Sequence, residues 1–110
     1  AAAYCASQAA AGSGFDFVFI DHDHSYAAVL PVCRALESIT RPGAFCLFHD
    51  WLDIRNFASG GSDYGVFGAT RDGLDSGEFD FYGTFGVTGL FRRERGGKGF
   101  GKISEFFEPR

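Results

Sequence analysis

Methionine is absent from this sequence, even at position 1, and the three cysteines include no C-x-x-C pair. That cysteine pattern excludes the common zinc-ribbon and thioredoxin-type sites. Cys33 and Cys46 sit within apolar patterns and read as buried free thiols, so a reducing, cytoplasmic location is the default. No apolar run approaches the roughly 20 residues of a membrane span. The opening AAAYCASQAAAGSG lacks the basic start and apolar core of a secretory signal. Basic residues are also in deficit: 10 Lys and Arg against 14 Asp and Glu leave a net charge of −4, which weighs against nucleic-acid or acidic-membrane partners. No internal repeat is evident. The missing initiator and a start that resembles the middle of a connection lead us to expect a single, incomplete domain over residues 1–110. Its core is expected at 15–93 and a flexible tail at 94–110.

What the chain does have is aromatic mass and glycine. Phe alone counts 14 of the 110 residues, hydrophobic residues make up 45%, and 16 glycines promise many turns. This is the composition of a globular domain. Residues 1–14 suit a short Ala-rich helix running into a Gly-Ser-Gly turn. Phe15 to Ile20 is apolar at almost every position, as in a strand covered on both faces. Ser25 to Ile39 places Tyr26, Val29, Leu30, Cys33, Leu36 and Ile39 on one helical face. Pro31 conflicts with that helix, so a tight first turn at Ser25–Val29 is expected, with the regular helix beginning near Pro31. Asp23 or Ser25 would cap it, and Arg41-Pro42-Gly43 would stop it.

Ala44 to Phe48 is the second strand, completing a parallel β-α-β unit. Asp53 to Asp63 reads as a polar loop, and Tyr64 to Leu74 as a helix. Phe79 to Thr84 and Val87 to Arg92 flank Phe85-Gly86 as an antiparallel hairpin. The fold expected is an α/β sheet, parallel at first and ending in an antiparallel β-hairpin.

Both predicted parallel strands run straight into polar chemistry. FVFI ends in Asp21-His22-Asp23-His24, and FCLF ends in His49-Asp50. Ligands collect at the carboxyl ends of strands in open parallel sheets, and neighbouring strands lie only about 4.8 Å apart. Asp21, His49 and Asp50 are therefore expected to converge. Carboxylates so close repel unless a cation or proton lies between them. Oxygen-rich ligands suit Mg²⁺, Mn²⁺ or Ca²⁺, and one imidazole tilts the choice toward Mn²⁺, Fe²⁺ or Zn²⁺. The plain alternative stands beside this: Asp23 caps a helix, His22 and His24 are solvated, and Asp50 starts a turn.

The stretch FVFIDHDHSYAAVLPVCRALESITRPGAFCLFHDW resembles the latter half of a class I S-adenosylmethionine-dependent methyltransferase. It is similar to the small-molecule O-methyltransferase group with an I-D-x-D-H-x-Y strand end, followed by P-G and a strand ending in H-D. FDFYGTFGVTGLFRR resembles that fold's closing hairpin. The resemblance implies a partial Rossmann-like sheet, S-adenosylmethionine as methyl donor and a small-molecule hydroxyl as acceptor. It also implies a Mg²⁺ or Mn²⁺ site at Asp21, His49 and Asp50, where His49 departs from an acidic pattern. Asp23 and His24 take the place of the catalytic base, and an imidazole titrates nearer neutrality than a carboxylate.

In that family the glycine-rich cofactor loop follows the first strand, which would precede residue 1. The expected alternative to an enzyme is thus a truncated or degenerate α/β domain that binds or assembles without catalysis, self-associating through an exposed sheet edge. A metal-dependent hydrolase fits less well, because the H-x-H-x-D-H spacing of such sites is missing. Gly96 to Lys102, GGKGFGK, imitates a phosphate-binding loop, but Ile103 stands where Ser or Thr is needed. The run Arg92-Arg93-Glu94-Arg95 reads as a solvated strand end. Trp51, Phe57 and Tyr64 are expected to pack beneath the loop that follows His49-Asp50. Isothermal titration of the 110-residue chain with S-adenosylmethionine should show no binding, and micromolar binding would overturn that expectation.

Overall fold

Along the chain the elements run α1 (Ala2–Ala10), β1 (Phe15–Ile20), α2 (Tyr26–Ile39), β2 (Thr40–Phe48), a 3-10 turn (Ile54–Phe57), α3 (Val66–Gly73), β3 (Phe79–Phe85) and β4 (Thr88–Arg93). The structure, a computed structural model, describes residues 2–12, 14–57, 64–74 and 78–94. The phosphate-loop imitation at 96–102, the terminal SEFFEPR and most of the expected tail lie outside the described residues. Glu94 still belongs to the hairpin, its N–H donating to the Glu78 carbonyl at 2.9 Å.

Four strands form one sheet in the order β1-β2-β4-β3. β1 and β2 pair in parallel, and β4 runs antiparallel to both β2 and β3. The hairpin thus docks through its second strand. β4 carries the buried Gly89 and Phe91, whereas β3 becomes exposed toward its turn. Arg92 and Arg93, read as a solvated strand end, are instead tied down by Glu94 at 3.0 Å and Glu78 at 3.5 Å.

α2 departs from expectation at both ends. It starts at Tyr26, with Ser25 as N-cap accepting from the Ala28 N–H at 3.2 Å, and runs through Pro31 without a separate first turn. Pro31 removes the bond to the Ala27 carbonyl, and both residues are exposed, so water can satisfy what the ring leaves open. At the other end the chain passes directly into a strand. Thr40 is already extended (φ −112°, ψ 150°), and its Oγ1 donates to the Leu36 carbonyl at 2.6 Å. β2 therefore begins at Thr40, before the expected Ala44. Arg41-Pro42-Gly43 forms a bulge inside it: Phe15 pairs with Thr40 but Phe17 with Phe45, and Gly43 has φ +89°.

β1 also differs from the doubly covered strand expected from its sequence. Ile20 is buried and Val18 packs against the core, but Phe17 and Phe19 are 62% and 53% exposed. The period-2 alternation of a strand separates these pairs, and no described helix covers the side bearing the two phenylalanines. A groove of about 310 Å³ runs beside the free edge of β1, lined by Tyr4 and Cys5 of α1 together with Phe15 and Phe17.

The covered face holds the core: Val29, Val32, Cys33, Leu36 and Ile39 of α2 meet Cys46, Phe48 and Phe91 of the sheet. Cys5, Cys33 and Cys46 are buried free thiols; burial pushes Cys33 up strongly and Cys46 to about 12. Trp51, fully buried, fills the space between sheet and α3, its Nε1 donating to Thr70 Oγ1 at 2.8 Å. Among the described residues no helix is long and apolar enough to cross a membrane.

Gly89 is what admits the indole. A Cβ at that position would stand 2.6 Å from Trp51 Cδ2, against a ring already packed on Phe67, Phe81 and Phe91. Gly89→Ala should therefore cost about 1–3 kcal/mol through overpacking, read as a lower midpoint in urea unfolding. An unchanged midpoint would refute this account of the core.

Candidate functional site

The parallel register decides what meets at the strand ends. Ile20 pairs with Phe48, and the His49 N–H donates to the Ile20 carbonyl at 3.0 Å. Asp21 and His49, the next residue on each strand, therefore lie side by side. His49 Nδ1 is 3.3 Å from Asp21 Oδ1 and 3.2 Å from Asp50 Oδ1. One ligand atom from each of the three lies within 4.8 Å of the others. The His49 ring also meets Phe19 edge-on, with centroids 6.4 Å apart.

Asp50 reaches this cluster through an unusual backbone. Its φ is +64°, the left-handed region that asparagine and aspartate tolerate better than most residues. The turn lets Asp50 face His49 while the next residue, Trp51, enters the core. The Asp50 side chain is only 19% exposed.

The donor set fits a divalent cation. His49 Nδ1 is a buried polar atom with no well-aligned hydrogen bond, set between two carboxylate oxygens. Two hard oxygens and one borderline nitrogen suit Mg²⁺ weakly and Mn²⁺, Fe²⁺ or Zn²⁺ better. Three protein ligands would leave coordination positions for water or substrate.

Asp23 and His24 stand outside this group and differ from one another. Asp23 Oδ1 accepts from the Ser25 N–H at 2.9 Å, and that backbone bond holds its carboxyl below the usual range. The helix cap itself is Ser25. His22 is exposed, with Nδ1 3.0 Å from the Asp23 carbonyl oxygen.

His24 is held more firmly. Its ring stacks on Tyr64 with centroids 3.7 Å apart and planes 11° from parallel, and its Nδ1 is buried without a hydrogen-bond partner. Arg55 Cζ lies 3.9 Å from the centre of the same Tyr64 ring. Two groups so close cannot share one face, so Tyr64 is sandwiched between histidine and guanidinium. Arg55 in turn donates through Nε and Nη2 to Asp53 at 2.9 and 2.7 Å, which draws the Asp53 carboxyl down to about 2. The Gly65 N–H closes the arrangement on the His24 carbonyl at 2.9 Å.

Sequence reasoning thus named the converging trio and His24 but passed over Arg55 and Asp53. Both lie in an aperiodic loop, where the single available signal was an Asp-x-Arg spacing. Of the three aromatic residues expected beneath the loop, Trp51 is core, Phe57 is 56% exposed against Phe67, and Tyr64 supports His24.

Gly12 and Gly14 lead from α1 into β1, whereas a phosphate- or cofactor-binding loop of that kind opens a helix. No curated protein matches the chain. Residues 2–51 match a family model described as a methyltransferase domain, and the match takes in α1 through β2 together with Asp21, Asp23, His24, His49 and Asp50. That match supports a methyltransferase domain, and the mixed α/β architecture with its four-stranded sheet is consistent with such a fold.

Proposed function

We propose that this chain forms the acceptor side of an S-adenosylmethionine-dependent methyltransferase acting on a hydroxyl of a small molecule. In this reading its sheet is part of a Rossmann-like fold, Asp21, His49 and Asp50 hold Mg²⁺ or Mn²⁺, and His24 is the base. One observation supports the reading: the side chains of Asp21, His49 and Asp50 converge at the matching ends of β1 and β2, inside or at the end of the segment that matches a methyltransferase domain.

The chemistry follows from the groups present. A divalent cation at the trio supplies Lewis acidity that lowers the pKa of a substrate hydroxyl. S-adenosylmethionine, when bound, would supply an electrophilic sulfonium methyl group. His24 lies three residues beyond Asp21 on the same loop and is fixed by Tyr64, which suits it to accept the hydroxyl proton. Asp23 is the weaker candidate, because the Ser25 N–H stabilises its ionised form and lowers its proton affinity. The ordered loops contribute by holding the acceptor in one orientation.

A second reading has its own observation. The exposed Phe17 and Phe19 beside the free edge of β1 favour a domain that binds or self-associates without catalysis. An assay of methyl transfer by the protein separates the two readings.

Two outcomes are expected there. Asp21→Asn and Asp50→Asn should each abolish turnover that depends on Mg²⁺ or Mn²⁺, while undiminished activity after chelation removes the cation from the reaction. His24→Ala should lower kcat by roughly 10²- to 10⁴-fold, with Asp23→Asn within a few-fold of the parent. Full turnover in the histidine variant, with loss in the aspartate one, would transfer the role of base to Asp23.

A further inference from the structure

The left-handed backbone at Asp50 needs something to hold it, and the surrounding contacts converge on one side chain. Asn56, at the 3-10 turn, donates from Nδ2 to the Asp50 carbonyl at 2.6 Å and to the Asp53 carbonyl at 2.8 Å. A third carbonyl, that of Trp51, lies at 3.3 Å from the same nitrogen. Two amide hydrogens thus serve three carbonyls of one turn.

The other end of the amide is anchored as well. Asn56 Oδ1 accepts from the Phe67 N–H at 3.1 Å, in the first turn of α3. The carbonyl cluster demands the nitrogen on one side and the helix N–H demands the oxygen on the other, so the amide has a single satisfactory orientation. Its backbone N–H also donates to the Asp53 carbonyl at 2.9 Å. The chain beyond Trp51 is fixed by the Leu52 N–H on the Val87 carbonyl at 3.0 Å, so the Asp50 peptide is restrained on both sides.

We propose that Asn56 is a positioning residue for the cation site, holding the Asp50 peptide in the left-handed turn that presents the carboxylate to His49. This rests on the cation reading given above. Without the amide, the Asp50 carbonyl keeps only a 3.3 Å contact from the Asp53 N–H among its described backbone partners. The peptide then relaxes toward the ordinary right-handed or extended regions and carries the carboxylate away from His49 Nδ1. Asparagine is required by chemistry: the position needs a donor toward the turn and an acceptor toward the helix within one short side chain.

Asn56→Asp is the informative variant. It has nearly the same shape, keeps an acceptor for the Phe67 N–H and places negative charge at a helix N-terminus, where it is favourable. It replaces the donors to the three carbonyls with repelling oxygen. Mn²⁺ binding to the 110-residue chain, followed by calorimetry and by the electron paramagnetic resonance of the bound ion, should weaken roughly 10- to 100-fold, as for other groups that orient a ligand. Asn56→Ala, which adds no charge, should show the same direction and serves if the aspartate variant does not fold. Asp21→Asn provides the reference for a lost ligand.

If Asp21→Asn abolishes Mn²⁺ binding while both Asn56 variants bind as the parent does, the positioning role is overturned and the cation site stands. A loss of affinity no larger than the fraction of unfolded variant, measured by urea titration, also overturns it. If the parent chain binds no Mn²⁺, or Asp21→Asn binds as well as the parent, the cation site itself is wrong and the role of Asn56 falls with it.

Discussion

The register of β1 on β2 is the constraint from which the site follows. With Ile20 opposite Phe48, the residues that come next are a carboxylate and an imidazole on neighbouring strands. Because side chains alternate between faces, a slip of one residue would send Asp21 and His49 to opposite sides of the sheet. The register is secured by rows of packed side chains. Val18, Cys46 and Phe91 form one row, and Phe48 meets Phe91 edge-on at 5.6 Å. The bulge at Arg41-Pro42-Gly43 lies at the far end of the pair. It absorbs the three extra residues that β2 spends between Thr40 and Phe45, leaving the strand tips aligned.

Core and site are joined across a single peptide. Asp50 belongs to the polar cluster and Trp51 to the most buried part of the interior, so neither can shift without the other. The indole is located by Thr70 and by the space at Gly89; the aspartate is located by what grips its carbonyl. A parallel device operates after β1, where His24 is held from the side by a stacked Tyr64 that is itself clasped by Arg55. Both loops thus take their shape from side chains at Asp53, Arg55, Asn56 and Tyr64, which no periodicity in the sequence singles out.

The two apolar runs ending in charged residues were visible because strand burial and strand-end polarity are local features, and the trio they imply is the one that converges. The βαβ unit and the hairpin were likewise written in periodicity and turn residues. Which hairpin strand would join the parallel pair was not, since strands of similar composition compete for that place and only tertiary packing chooses β4. Pro31 misled because the carbonyl it leaves without a helix partner, that of Ala27, is exposed and open to water, and the helix continues through it. Phe17 and Phe19 misled because a continuous apolar run does not say which of its faces is covered. Asn56, Arg55 and Asp53 went unnoticed because their partners are backbone carbonyls and rings brought near by folding.

The sealed sulfur atoms of Cys33 and Cys46 carry a consequence of their own. Each lies on the α2–sheet boundary, almost without solvent contact, and each holds its proton far above physiological pH. Electrophiles and disulfide partners react with thiolate, so the intact interior is chemically silent toward them. Alkylation at these two positions therefore keeps time with the parting of helix from sheet, giving the protein an intrinsic clock for its own breathing.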